Sequence, residues 1–259
     1  MANLKDIKTR ISSVTSTQQI TSAMKMVSAA RFRKAEEAIT NNRPYSDKML
    51  DVLTSLALRT KEDAHPLLER REQKKVGLVI FTSDRGLCGS FNGSILRSVD
   101  RFLNEKAGSY ESISLYIVGK KGLEYYKKRP VEKFGQMTEL FGNVTYGQAH
   151  EIGEDISNRY AEGELDLVYM VYNEFRSALT QVVVYDRLLP VEPPKVDPDT
   201  VTTEYIYEPD EEHMLNWVIP RYVDVRIYRA FLESTASEHG ARMTAMESAT
   251  TNASEMIDR

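Results

Sequence analysis

One loop in this chain of 259 residues has the make-up of a ligand site. Ser83-Asp84-Arg85-Gly86-Leu87-Cys88-Gly89-Ser90-Phe91-Asn92-Gly93 follows the apolar run Val76–Thr82 (VGLVIFT) and leads into a helical pattern. Free backbone N–H groups point outward at such a strand-to-helix junction, which is where α/β proteins place phosphates. The glycine spacing, G-x-x-G-x-x-x-G, is neither the dinucleotide fingerprint nor a P-loop, and no Walker lysine follows it. A tight glycine turn seating a helix against its strand is therefore the leading reading, with nucleotide binding as the alternative. Cys88 is the single cysteine and has no histidine nearby in sequence to activate it. His65, His150, His213 and His239 are scattered, with no H-E-x-x-H or C-x-x-C spacing, so a metal site is not expected. Glu151, Glu154 and Asp155 share a helical pattern, but Asp155 faces Arg159 at i, i+4. A solvated, ion-paired face explains them better than an acid–base pair does. No catalytic constellation, cofactor or metal is implied.

Composition narrows the class. The chain is 41% hydrophobic and 28% charged with a net charge of −4, which is ordinary for a soluble protein and rules out a disordered or collagen-like one. No apolar run reaches the length of a membrane span, and MANLKDIKTRISS has no signal-peptide core. That start has some of the Lys, Arg and Ser character of a transit peptide but runs directly into a periodic helix, so it reads as mature protein. A lone cysteine permits no internal disulfide and suits a reducing compartment. The Asn-x-Ser/Thr triplets at Asn92, Asn143 and Asn252 read as chance sequons.

The elements that must position the loop fall into four stretches. Residues 1–60 carry apolar positions at Leu4, Ile7, Ile11, Val14, Met24, Val27, Phe32, Ala35 and Ile39, the intervals of a helical stripe, with Asn3 as a cap. Pro44 leaves continuity beyond it open. At 1.5 Å per residue such a helix is about 80 Å long and needs a partner along its length. Residues 75–190 alternate strands and helices. Strands are expected at 76–82, 113–118, 165–172 and 179–188, and helices at 93–105, through Leu123 and Tyr126, and at 146–161. This predicts a mostly parallel sheet in a Rossmann-like α/β domain. Residues 191–212, taken with Pro190, hold eight acids against one lysine and five of the nine prolines. They read as an acidic connector with a short strand at Tyr205–Tyr207. Residues 213–259 are helical by pattern, with a kink or fresh start at Pro220.

The two terminal helices share an unusual character. Fifteen of the twenty-two residues in Ser234–Glu255, and eight of the twelve in Ser12–Ala23, are small. Ordinary cores use large apolar residues. Small seams let two helix backbones approach closely, which predicts a coiled coil of both termini carrying the α/β domain. Such a seam buries little apolar area and stabilises itself weakly. Two readings follow: a rod that dimerises, or a shaft enclosed by partners. Residues 1–34 hold Lys5, Lys8, Arg10, Lys25, Arg31, Arg33 and Lys34 against Asp6 alone, which favours acidic partner loops. Nucleic acid is disfavoured, because no known module is present and no aromatics interleave with the basic run.

Three stretches carry a family resemblance: LKDIKTRISSVTSTQQITSAMKMVSAARFRKAEEA from Leu4, TSDRGLCGSFN at Thr82–Asn92, and SEHGARMTAMESATTNA at Ser237–Ala253. They resemble the gamma subunit of F-type ATP synthase, and their placement spreads the likeness over the whole chain. The resemblance implies a non-catalytic central-stalk rotor whose coiled coil passes through a ring of alternating alpha and beta subunits. Proton flow through a membrane c-ring turns it and drives each beta subunit through its binding states. It implies one copy per complex, an epsilon-subunit partner, no cofactor, and peripheral attachment at the cytoplasmic side of a bacterial inner membrane. By motif position Met24, Lys25, Arg31, Arg33, Lys34, Asp84, Arg85 and Arg242 are the expected partner contacts. Two rivals stay open: a homodimeric coiled-coil adaptor and a nucleotide-binding α/β enzyme.

The family normally continues past this point with further helix, whereas this chain stops at Arg259 without a C-cap. A truncated form is expected, with retained assembly and impaired efficiency or stability. The lone Cys88 excludes the inserted redox cysteine pair of plastid relatives.

Overall fold

A computed structural model of the chain describes residues 4–57, 65–140, 144–178, 180–192 and 210–259. The stripe at the N-terminus forms one helix, α1 (Leu4–Ala57), that passes through Pro44 without ending. The small polar residues of its first half turn back on the helix itself. Thr9, Thr15, Ser16 and Thr17 each donate to the carbonyl four residues earlier at 2.9–3.1 Å. Satisfied in this way, they cover little width.

Seven further elements carry the sheet: β1 (Lys75–Phe81), α2 (Phe91–Glu105), β2 (Ser112–Val118), α3 (Lys120–Tyr126), β3 (Glu132–Met137), α4 (Tyr146–Ala161) and β4 (Leu167–Phe175). An edge strand, β5 (Gln181–Leu189), and a long last helix, α5 (Glu211–Asp258), complete the order. The sheet runs β3-β2-β1-β4-β5, parallel except for antiparallel β5. Both faces are covered, as the apolar run of β1 requires. Val76, Leu78 and Ile80 meet Phe91, Ile95 and Val99 of α2 on one face. Val79 and Phe81 point to the other, where α4 and α5 pack through Ile152, Ile156, Val223, Ile227 and Phe231.

Helix α5 pairs with α1 in antiparallel sense. Thr21 meets Thr250 at 2.7 Å, Lys25 meets Glu247 at 2.7 Å, and Ala35 and Ile39 cluster with Ala236 and Leu232. Rising numbers on one helix thus meet falling numbers on the other. Pro220 sits inside α5, and the helix starts at Glu211, capped by Asp210 accepting from the His213 N–H at 2.9 Å.

Three expectations shift. Strand β3 was not anticipated; its sequence EKFGQM lacks β-branched residues because it is an exposed edge. Helix α2 begins at Phe91 rather than Gly93, since Phe91 is needed as a buried anchor. Strand β4 runs to Phe175, three residues beyond the expected Tyr172. The strand expected at Tyr205–Tyr207, most of the connector at 193–209, Leu179 and residues 58–60 lie outside the described residues.

Candidate functional site

Sheet order reverses between β1 and β4, since β2 and β3 lie to one side and β4 and β5 to the other. In open α/β sheets the crevice beyond such a point, at the carboxyl ends of the strands, is where ligands bind. Here α5 occupies it. Ser237 Oγ donates to the Asn173 carbonyl at 2.9 Å, and Glu233 accepts from the Phe175 N–H at 3.0 Å. Phe231 packs edge-on against Phe81 with centroids 5.1 Å apart. The chain's own helix fills the space a nucleotide would need.

The glycine loop is likewise satisfied from within. Asn92 accepts from the Ser83 N–H at 2.9 Å through Oδ1 and donates to Ser83 Oγ at 2.7 Å through Nδ2. Ser83 Oγ donates to the Arg85 carbonyl at 2.6 Å. Asp84 accepts from the backbone N–H groups of Lys120, Glu139 and Leu140 at 3.0, 3.1 and 2.8 Å, stapling the loop to the far ends of β2 and β3. Cys88 is buried, and burial pushes its thiol up, which makes it inert. Gly119 allows the closest approach: its φ is +92°, and a Cβ there would lie 2.0 Å from the Thr82 carbonyl oxygen. The turn-and-packing reading of the loop is the one the geometry supports.

The loop lies against both shaft helices. Arg242 of α5 donates from Nη2 to the Arg85 and Gly86 carbonyls at 3.4 and 3.2 Å and from Nη1 to Glu238 at 2.6 Å. Beside it His239 is buried, and burial together with the Arg242 and Arg31 charges pulls its pKa down to about 4. Burial pushes the Glu238 carboxyl up against the opposing pull of Arg242. Met24, Val27 and Arg31 of α1, Arg85 and Leu87 of the loop, and Arg242 line one groove of about 300 Å³.

The structure therefore gathers Met24, Arg31, Asp84, Arg85 and Arg242 at one junction. Lys25 stands apart, paired with Glu247, while Arg33 and Lys34 are exposed further along α1. Asp84 and Arg242 are engaged with this chain's own backbone. Leu87 lies in the Asp84–Gly89 loop expected to face the partner, while sequence reasoning did not place Glu238 and His239 at this junction. The Glu238–Arg242 spacing of four was a visible signal; the exposure of Leu87 was not. Of the other candidates, Asp155 pairs with Arg159 at 2.9 Å as its spacing required. His150 bonds Asp224 of α5 at 2.8 Å. Among the described residues no three His, Cys, Asp or Glu side chains are placed to hold a metal, and no helix is long and apolar enough to cross a membrane.

A long antiparallel rod whose end plugs the crevice of an α/β head is a stalk architecture, and known proteins share it. The family described as ATP synthase matches residues 3–259. An ATP synthase gamma chain from Geobacter sp. (strain M21) is 45% identical, over 100% of this chain and 90% of that one. The ATP synthase gamma chain of Anaeromyxobacter dehalogenans (strain 2CP-C) is 48% identical, over 99% of this chain and 90% of its own length. Among solved structures, the central stalk and c-ring of Tetrahymena thermophila mitochondrial ATP synthase aligns with a TM-score of 0.66 at 28% identity, covering 89% of this chain and 99% of that one. The Euglena gracilis mitochondrial ATP synthase rotor shares the fold with a TM-score of 0.67 at 17% identity, over 98% of this chain and 93% of the other. This chain belongs to the gamma-subunit family of F-type ATP synthases, the central-stalk rotor.

Proposed function

We propose that the chain works as a non-catalytic shaft, turned by a membrane c-ring and pressing on the beta subunits of an alpha–beta ring. One observation carries this reading: the crevice that would make the head an enzyme is filled by the shaft itself, so the α/β domain serves to hold the rod. The rod's outer face supports it. Ile11, Ile20, Met26 and Val27 of α1 are exposed, so large apolar side chains are left open along the rod. Lys25, Arg31, Arg33 and Lys34 add positive charge along the same helix and suit an acidic loop of a beta subunit. Exposed ion pairs of about 0.2–1 kcal/mol break readily, as contacts that change on every turn must. Epsilon subunit and c-ring would bind at the head end, and the complex would sit at the cytoplasmic face of a bacterial inner membrane.

The test is co-expression with alpha and beta subunits, with ATPase measured with and without this chain. The expected result is one copy per ring, activity that depends on it, and, when Arg33 and Lys34 are replaced by glutamate, weaker assembly that is most marked at low salt, where exposed charges are least screened. A stable homodimer that ignores both subunits would instead establish an adaptor.

A further inference from the structure

The loop tip at residues 85–87 is built as a preset finger, and part of its support comes from the shaft. Leu87 has φ +63° and is 64% exposed. A non-glycine residue stays in that left-handed region only where its surroundings over-determine it. Here, just before the tip, the Gly86 carbonyl accepts from Arg242 at 3.2 Å and the Arg85 carbonyl from Arg242 at 3.4 Å and from Ser83 Oγ at 2.6 Å, while Cys88, just after it, is buried. Arg242 itself is 8% exposed and is held by Glu238. We infer that Arg242 is a positioning residue: it fixes the finger so that Arg85 and Leu87 meet the partner, while Arg242 does not. The partner's identity rests on the stalk reading above; the clamp does not.

The planar fork puts Nη1 on Glu238 and Nη2 on the two loop carbonyls, so one rigid group ties α5 to the finger, whereas a lysine ammonium offers no fixed fork to span both sides. Arg242→Lys and Arg242→Gln should therefore both free the finger. Trypsin reports this directly on the full chain, because Arg85–Gly86 is one of its cleavage sites. Both variants are expected to be cut there roughly tenfold faster than the parent, with cleavage after the exposed Lys127 of the head unchanged. An unchanged rate at Arg85, or equal acceleration at Arg85 and Lys127, would overturn the clamp.

In the complex with alpha and beta subunits, Leu87→Ser and Arg242→Lys should each lower ring-dependent ATPase, with the double variant no worse than the weaker single. Full activity of Arg242→Lys beside a defective Leu87→Ser would refute positioning. If the parent chain fails to join alpha and beta subunits, the stalk reading falls and the trypsin result still decides the clamp.

Discussion

Thr21 and Thr250, 229 positions apart, share a hydrogen bond of 2.7 Å between their hydroxyls. Each hydroxyl has one proton, so one of them donates across the seam while the other donates to its own helix, Thr250 to the Met246 carbonyl at 2.7 Å or Thr21 to the Gln18 carbonyl at 3.1 Å. Thr21→Val should cost about 0.5–1.5 kcal/mol through the lost hydroxyl. Thr21→Leu should cost more, about 1–3 kcal/mol, because added bulk forces the helices apart. Urea unfolding of both variants checks this; equal losses would mean that width at the seam is unimportant.

Helices α4 and α5 cross where Gly153 faces Asp224. A Cβ at position 153 would sit 2.2 Å from Asp224 Oδ1. The carboxylate, 3% exposed, cannot retreat, since His150 and the Tyr146 hydroxyl hold Oδ2 at 2.8 and 3.3 Å. Gly153→Ala should cost about 1–3 kcal/mol. Adding Asp224→Ala should recover part of that loss, so the two substitutions together cost less than their sum. Strict additivity in thermal melts would place the strain elsewhere.

His239 makes stability depend on acid. Its folded pKa of about 4 lies below the ordinary 6.5, so the unfolded chain binds the proton more tightly. Its contribution is complete above pH 6.5 and is lost as pH falls toward 4, up to about 3 kcal/mol in all. Glu238, pushed up by burial, works in the opposite sense and favours the folded chain in acid. The parent should therefore lose stability relative to His239→Gln across that window. A difference between the two that does not change with pH would refute the assignment.

Asp84 holds three backbone N–H groups with one side chain. Asp84→Ala leaves those donors unpaired, at about 1–3 kcal/mol for each one that stays buried. Amide exchange at Lys120, Glu139 and Leu140 should accelerate, while exchange in the centre of β1 should not. Protection unchanged at all three would show that the staple carries no load.

Much of this was legible in the chain. Helical intervals from Leu4 to Ile39 carry a helix period, and the short, β-branched apolar run of β1 marks a strand buried on both faces. Small residues at both ends announced the pairing, because nothing else profits from so narrow a surface. Edge strand β3 was hidden, since Glu132 and Lys133 face solvent and carry no alternation. The site was half visible: the motif marked residues 83–92 as special, but the spacing could not say that Asp84 and Arg242 turn inward. That depends on α5 entering the crevice beside β4, a contact between distant segments with no local signature.

That entry has a mechanical meaning. Where a ligand would come and go, Glu233 and Ser237 are fastened to the end of β4 at 3.0 and 2.9 Å. These two bonds tie α5 to the end of β4, so a torque applied to the sheet would be handed on to the rod at this joint as twist instead of being lost in swivelling.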